Sequence, residues 1–316
     1  MKILANDGIS ANGIAILEKN GFEVLTTTVA QEQLANFINK HNIIGLLVRS
    51  ATKVDKFLID ACPHLKLIGR GGVGMDNIDV TYAEEKGLQV FNTPAASSES
   101  VAELVFAHLY GGVRYLYDAN RTMPLEGDSN FKQLKKAYAK GIELSGKTLG
   151  IIGMGRIGEA TAKIALGVGM KVVYFDPEVE KAEIKLAFYD GQEITFNLHN
   201  STKQEVLEQA DFITLHVPAQ QKYVMGKDDF HAMKDGVGII NASRGGVLDE
   251  VALVEALENG KVSFAGLDVF ESEPNPEIRI LMHPNISLSP HIGAATKEAQ
   301  DRIGLELAEK VINALK

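Results

Sequence analysis

The 316-residue chain has a single cysteine, Cys62, so no internal disulfide can form and a cysteine-rich zinc site is excluded. No apolar run approaches the ~18 residues that a membrane span needs. The start, MKILANDGIS, lacks the apolar core and small-residue cleavage site of a signal peptide. The expected location is therefore the cytoplasm, with no membrane partner. No repeat with a period of about 20 to 50 residues and no low-complexity tract is present, which sets solenoid architectures aside. Positive charge is in deficit: the net charge of -9 argues against a general nucleic-acid binder. Any anionic ligand must be held by local groups working against the global field. What remains is the composition of an ordinary globular protein, 45% hydrophobic and 23% charged. Its length suits two domains of about 150 residues each, with a cleft between them.

Strand-like apolar runs, KILAN, FEVLTT, IIGLLV, LKLIG and LQVFN, alternate with helical stretches such as ISANGIAILEKNG. This rhythm predicts βαβ units on a parallel sheet. The segment SSESVAELVFAHLYGGVRYLYDANR breaks it, with capping-box spacing from Ser100 to Glu103, and predicts one long helix opening the second domain. Residues 122 to 141 are polar, lysine-bearing and weakly periodic. A second set of strands follows in KTLGIIGMG, KVVYFDP, DFITLHV, GVGIINAS, VSFAGLDVF and NISLSP, and TKEAQDRIGLELAEKVINAL is the last helix. Residues 180 to 200, EKAEIKLAFYDGQEITFNLHN, fit no helix and read as a surface elaboration.

TLGIIGMGRIGEATAKIALGVG places Gly153, Gly155 and Gly158 directly after a strand and at the head of a helix. Glycines there permit a tight turn and close backbone approach, and a helix N-terminus offers unpaired N–H groups to a pyrophosphate. The next strand ends in Asp176, 18 positions beyond Gly158, near the ~20 expected of a ribose acceptor. A 2′-phosphate would be repelled by that carboxylate, and no Arg or Lys lies between Asp176 and Glu180 to receive one, so NAD is favoured over NADP. Arg156 reads either as a pyrophosphate contact or as a solvated helix-start residue.

The stretch INASRGGVLD puts Arg244 after a strand, Glu273 lies in LDVFESEP past another, and His291 lies in SLSPHIGAAT past a third. Ligands of parallel α/β sheets bind outside the carboxyl ends of the strands, so the three residues are expected to converge. Oxidising a secondary alcohol needs a base for the hydroxyl proton, and imidazole suits it: His291 is the base. A carboxylate behind the ring favours the imidazolium and orients it, the role of Glu273. Arg244 would hold a substrate carboxylate in bidentate fashion and polarise the adjacent carbonyl. Gly245 and Gly246 leave room for the reactants, and Asp268 would accept from the nicotinamide carboxamide. Each residue alone has a plainer reading as a cap, a surface ion pair or a solvated loop. Their joint occurrence beside a nucleotide turn favours chemistry.

GMGRIG, NASRGG, LDVFESEP and SPHIGAAT stand in the order and approximate spacing of the sequence blocks of the D-2-hydroxyacid dehydrogenases, a family that the chain resembles over nearly its whole length. The resemblance implies an α/β protein of two doubly wound parallel-sheet domains: a flavodoxin-like substrate domain, 1–97 plus 291–316, and a Rossmann NAD domain, 98–290. It implies an NAD-dependent oxidoreductase with Arg244, Glu273 and His291 in the roles above, no metal, and a homodimer through the NAD domain. It further implies cofactor contacts from Gly153, Gly155, Arg156, Ile157, Gly158, Asp176, His216, Val217, Pro218, Ala242, Ser243, Asp268, His291, Gly293 and Ala294.

Within the family, IGLLVRSATKV and LKLIGRGGVGMDNID are most similar to the D-3-phosphoglycerate dehydrogenase branch, which opens serine biosynthesis. Arg49, Ser50 and Arg70 would then hold a phosphate, and N–H groups of Val73 and Gly74 a carboxylate. The two arginines also read as ordinary ion-pair residues. Lys132, Lys135 and Lys136 lie where that branch brings a basic residue from a partner subunit, and Lys136 is the expected contact. Arginine is usual there, so a lysine departs from the pattern. The chain stops after its last helix, so a C-terminal serine-binding regulatory domain is expected to be missing. Competing readings are a hydroxypyruvate, glyoxylate or D-lactate reductase, or an NAD-sensing transcriptional co-regulator, which would call for a peptide groove and flexible tails. A zinc alcohol dehydrogenase lacks its cysteine ligands.

Overall fold

The computed structural model describes residues 1–316. In chain order it contains β1 (Lys2–Ala5), α1 (Ala11–Lys19), β2 (Glu23–Leu25), α2 (Gln31–His41), β3 (Ile43–Val48), α3 (Lys56–Ala61), β4 (Leu67–Arg70), α4 (Val80–Glu85) and β5 (Gln89–Asn92). Three helices follow, α5 (Ser98–Val113), α6 (Leu116–Glu126) and α7 (Phe131–Ala137). Next come β6 (Thr148–Ile152), α8 (Arg156–Gly167), β7 (Lys171–Phe175), β8 (Lys181–Ala187), β9 (Glu193–His199), α9 (Lys203–Gln209), β10 (Phe212–Leu215), α10 (Lys227–Ala232) and β11 (Val237–Asn241). The chain ends with α11 (Glu250–Glu258), β12 (Val262–Leu267), α12 (Ile278–Leu281), β13 (Ile286–Leu288) and α13 (Lys297–Leu315). No helix is long and apolar enough to cross a membrane.

Two compact units result, Met1–Ser100 with Ala294–Lys316, and Val101–Gly293. His291, placed with the first domain by the expected 291–316 boundary, lies in the second unit. The reason is local: the N–H groups of His291, Ile292 and Gly293 all bond to Asp268, at the end of β12.

The first unit carries a five-stranded parallel sheet in the order β2-β1-β3-β4-β5, the flavodoxin-like order. Its central strand β3, IIGLLV, is almost wholly buried, which is why the run is continuously apolar and not alternating. Ser10, Asp55 and Asp79 cap α1, α3 and α4 with their side chains, each satisfying an orphan N–H. On one face α13 packs against α1, where a Cβ on Gly13 would lie 2.7 Å from the Gly304 carbonyl oxygen. Only small residues let two helices meet this closely.

The second unit is a six-stranded parallel sheet, β13-β12-β11-β10-β6-β7, with one apolar cluster built around α9, α10 and α11 and another around α5 and α8. Its strands lie within the runs read from the sequence. Four local expectations change. The long helix is broken, because Tyr115 adopts a left-handed conformation (φ 55) between α5 and α6. Ser100 lies inside α5 and is no cap, since the helix begins at Ser98. The weakly periodic stretch from 122 to 141 holds the end of α6 and all of α7. Residues 180 to 200 form an antiparallel hairpin of β8 and β9, pairing Ala182 with Leu198 and Ile184 with Phe196. Ala182 and Ile184 are buried in the core of this unit.

Candidate active site

Helix α8 begins at Arg156 with Gly155 as its N-cap and no side chain capping it, so the first-turn N–H groups are left for an anion. The glycines are required by contact. A Cβ on Gly153, whose φ is +98, would overlap the His216 carbonyl, and one on Gly158 would overlap the Gly153 carbonyl. In front of Gly155 there is open space, so a dinucleotide pyrophosphate fits against the backbone there. Asp176 follows β7 and reaches back to this turn, its Oδ2 accepting from Met154 N–H at 2.7 Å. Its Oδ1 accepts from the N–H groups of Glu178 and Val179. Each carboxylate oxygen takes about two donors, so Oδ2 has capacity for a ribose hydroxyl.

Of the other expected cofactor residues, Arg156 is exposed and Ile157 half-buried on the first turn of α8, and Val217 and Pro218 follow β10. Ala242 is buried after β11. His216 does not present its ring outward. Its Nε2 lies 3.2 Å from Thr161 Oγ1 and 3.1 Å from Thr214 Oγ1, and its Nδ1 is buried without a protein partner. Burial pushes this imidazole down to about 3.

Three strand ends carry the remaining groups. β11, β12 and β13 are neighbours in one parallel sheet, so the residues after each emerge on the same edge. His291 Nδ1 and Glu273 Oε2 are 2.8 Å apart. The other carboxylate oxygen of Glu273 accepts from Phe270 N–H at 3.0 Å, which fixes the acid behind the ring. Both side chains are partly exposed, and an apolar cavity of about 430 Å³ lined by Phe270, Pro274, Pro276, Leu281, Leu288 and Pro290 opens beside them.

Arg244 is half-buried, its Nη1 donating to the Ser243 carbonyl at 2.7 Å. Its loop is shaped by Asn241, which donates to the Arg244 carbonyl and accepts from the backbone and hydroxyl of Ser243. The next residue, Gly245, runs against Phe270, whose carbonyl a Cβ would overlap. The arginine loop is thereby seated on the segment that holds Glu273. Asn241 was not singled out in the sequence, although an Asn two residues before a buried Ser is an Asx-turn signal.

Asp268, expected to face the nicotinamide, is 1% exposed. Its Oδ1 takes Ser289 Oγ–H at 2.6 Å and Ile292 N–H at 2.8 Å, and its Oδ2 takes Gly293 N–H at 2.8 Å. These internal donors turn the carboxylate inward, where it supports the His291 loop. Ala294, after that loop, opens the second segment of the first unit.

In the first unit, Arg49 follows β3 and Arg70 ends β4, with Val48 and Arg70 in register across the two strands. The 49–52 loop is pinned by Asp7, which accepts from Arg49 N–H, Thr52 N–H and Thr52 Oγ–H. Asn77 holds the carbonyls of Arg49 and Thr52. Ser50 on this loop is exposed, and Val73 and Gly74 are half-buried after β4. Lys132, Lys135 and Lys136 are exposed on α7 of the second unit.

Residues 106–293 match the family described as D-isomer specific 2-hydroxyacid dehydrogenase, NAD binding domain. The chain is 41% identical to a hydroxypyruvate reductase of Thermotoga maritima, over 99% of this chain and 98% of that protein. It is 40% identical to a D-3-phosphoglycerate dehydrogenase of Archaeoglobus fulgidus, over 100% of this chain and 58% of that protein, so it spans little more than half of that longer relative. Among solved structures it is similar to a glyoxylate reductase from Paecilomyes thermophila, with a TM-score of 0.82, 30% identity and coverage of 100% and 95% of the two chains. It is also similar to a D-lactate dehydrogenase from Aquifex aeolicus complexed with NAD and lactic acid, with a TM-score of 0.74, 28% identity and coverage of 98% and 94%. A match of this length and identity, on a sheet edge that carries the nucleotide turn and an imidazole–carboxylate pair, places the chain in the D-2-hydroxyacid dehydrogenase family, as an NAD-dependent oxidoreductase.

Proposed function

We propose that the protein oxidises D-3-phosphoglycerate to 3-phosphohydroxypyruvate, the step that opens serine biosynthesis, with Arg244, Glu273 and His291 as its working residues. NAD held at the Gly153–Gly158 turn supplies the hydride acceptor. His291 removes the hydroxyl proton at Nε2, because Nδ1 is committed to Glu273, and the carboxylate stabilises the imidazolium that forms. Arg244 binds the substrate carboxylate and polarises the developing carbonyl. The observation that carries the hydride-transfer reading is the 2.8 Å Glu273–His291 pair on the sheet edge after β12 and β13. Support for a phosphorylated substrate comes from Arg49 and Arg70 at the ends of neighbouring strands in the first unit.

A second reading, hydroxypyruvate reduction, is favoured by one observation. The Thermotoga maritima hydroxypyruvate reductase is covered over 98% of its length, against 58% for the Archaeoglobus fulgidus phosphoglycerate dehydrogenase. Steady-state kinetics with 3-phosphoglycerate and D-glycerate separate the two. If the arginines clamp the phosphate, binding energy from that remote group positions the reacting carbon. Charge-assisted contacts worth ~1.5–3 kcal/mol each then make Arg49→Ala or Arg70→Ala cost roughly one to two powers of ten on the phosphorylated acid alone. Equal kcat/KM for both acids in the wild type would falsify the phosphoglycerate assignment and leave hydride transfer standing.

A homodimer through the second unit belongs to the same proposal. It is supported by α6, which buries none of its residues and exposes Leu116, Met123 and Leu125; sedimentation of a Leu125→Glu variant as a monomer is the expected result.

A further inference from the structure

His108, on α5, is 5% exposed and takes no part in the chemistry above. Its Nδ1 lies 2.8 Å from Ser287 Oγ and its Nε2 3.0 Å from Ser289 Oγ. Gly266 on β12 makes room for it, since a Cβ there would stand 2.6 Å from the His108 Cβ. A serine hydroxyl has one proton, and that of Ser289 goes to Asp268 Oδ1 at 2.6 Å. Ser289 Oγ must therefore accept from His108, which sets the ring as the Nε2–H tautomer with Nδ1 accepting from Ser287. Burial, opposed by the charge of Asp268, holds the imidazole below its ordinary range, in keeping with a neutral ring.

The relay continues into the catalytic loop. Asp268 receives the N–H groups of Ile292 and Gly293 on its carboxylate and that of His291 on its carbonyl, all at 2.8 Å. The Ile292 and Gly293 N–H groups close a nest around the internal carboxylate, and the His291 N–H ties the same loop to the Asp268 main chain. His291 stands there at φ 54, a conformation that costs a non-glycine residue free energy and persists only where its surroundings over-determine it.

We infer that His108 is a positioning residue for His291: through Ser289 it orients the Asp268 carboxylate, which holds the nest that presents the catalytic imidazole. The inference rests on His291 being the acid–base group, and its test separates the two. Ser289→Ala and His108→Leu are each expected to speed amide exchange at Ile292 and Gly293 and to lower kcat about tenfold, with the NADH dissociation constant within about twofold of wild type. His108→Gln, whose carboxamide N–H can replace the Nε2 donor, should stay within about threefold in kcat. Since the groups act in series, the double variant should lose no more than either single one.

Unchanged exchange and kcat in His108→Leu, a Gln variant as impaired as the Leu variant, or additive losses would overturn the relay. Should His108→Leu fail to fold, Ser289→Ala with the same two readouts decides. Full turnover in His291→Ala would instead remove the acid–base reading, while the exchange result still judges the relay by itself.

Discussion

Acid should loosen the cofactor-binding unit through one histidine. Thr161 donates its hydroxyl proton to the Ile157 carbonyl at 2.8 Å, so the His216 Nε2 beside it must be the donor, and Nδ1 stays bare and buried. Protonating Nδ1 would place a charge in the interior with no acceptor. The folded value of about 3 against an ordinary 6.5 means that the folded state binds this proton more weakly than the unfolded chain does. The stabilisation is therefore complete above about pH 6.5 and is lost as pH falls from there toward about 3. At pH 5 the two values give a loss of about 2 kcal/mol. His216→Gln keeps an N–H for the two threonine hydroxyls and removes the titration. Urea unfolding followed by circular dichroism at about pH 7.5 and about pH 5 should show the wild type losing about 2 kcal/mol more than the variant between the two conditions. Identical losses would refute the argument, because every other titrating group is common to both proteins.

Three further outcomes are expected. Gly158→Ala forces a methyl into the Gly153 carbonyl and should abolish NADH binding measured by fluorescence titration; a variant that binds normally would remove the turn from the cofactor site. Asp176→Asn keeps an acceptor for Met154 N–H but drops the charge that repels a 2′-phosphate, so the kcat/KM ratio of NAD to NADP should fall by about tenfold or more; an unmoved ratio would place Asp176 away from the ribose. His291→Ala should lower kcat by ~10²–10⁴, the usual worth of general acid–base catalysis, with NADH affinity retained, as stopped-flow and binding measurements would show.

Runs such as IIGLLV and TLGII announced their strands because a parallel strand buried on both faces must be continuously apolar, and that is a local property. GMGRIG was legible for the same reason: strand, turn and helix N-terminus are contiguous in the chain. The positions of Arg244, Glu273 and His291 past strand ends were readable too, since chain order alone brings parallel strands' carboxyl ends to one edge. The hairpin at 180–200 was also within reach, with Ala182, Ile184 and Leu186 alternating ahead of an Asp-Gly turn.

Other features had no local signature. Tyr115 breaks a helix whose apolar pattern runs on, Asp268 turns inward to meet three donors from beyond β13, and His291 joins the second unit through its own N–H on the Asp268 carbonyl and the bonds of Ile292 and Gly293. His108 meets serines about 180 positions away. A side chain's periodicity records whether it is buried, whereas the partner of a buried polar group depends on which distant segments the fold brings together.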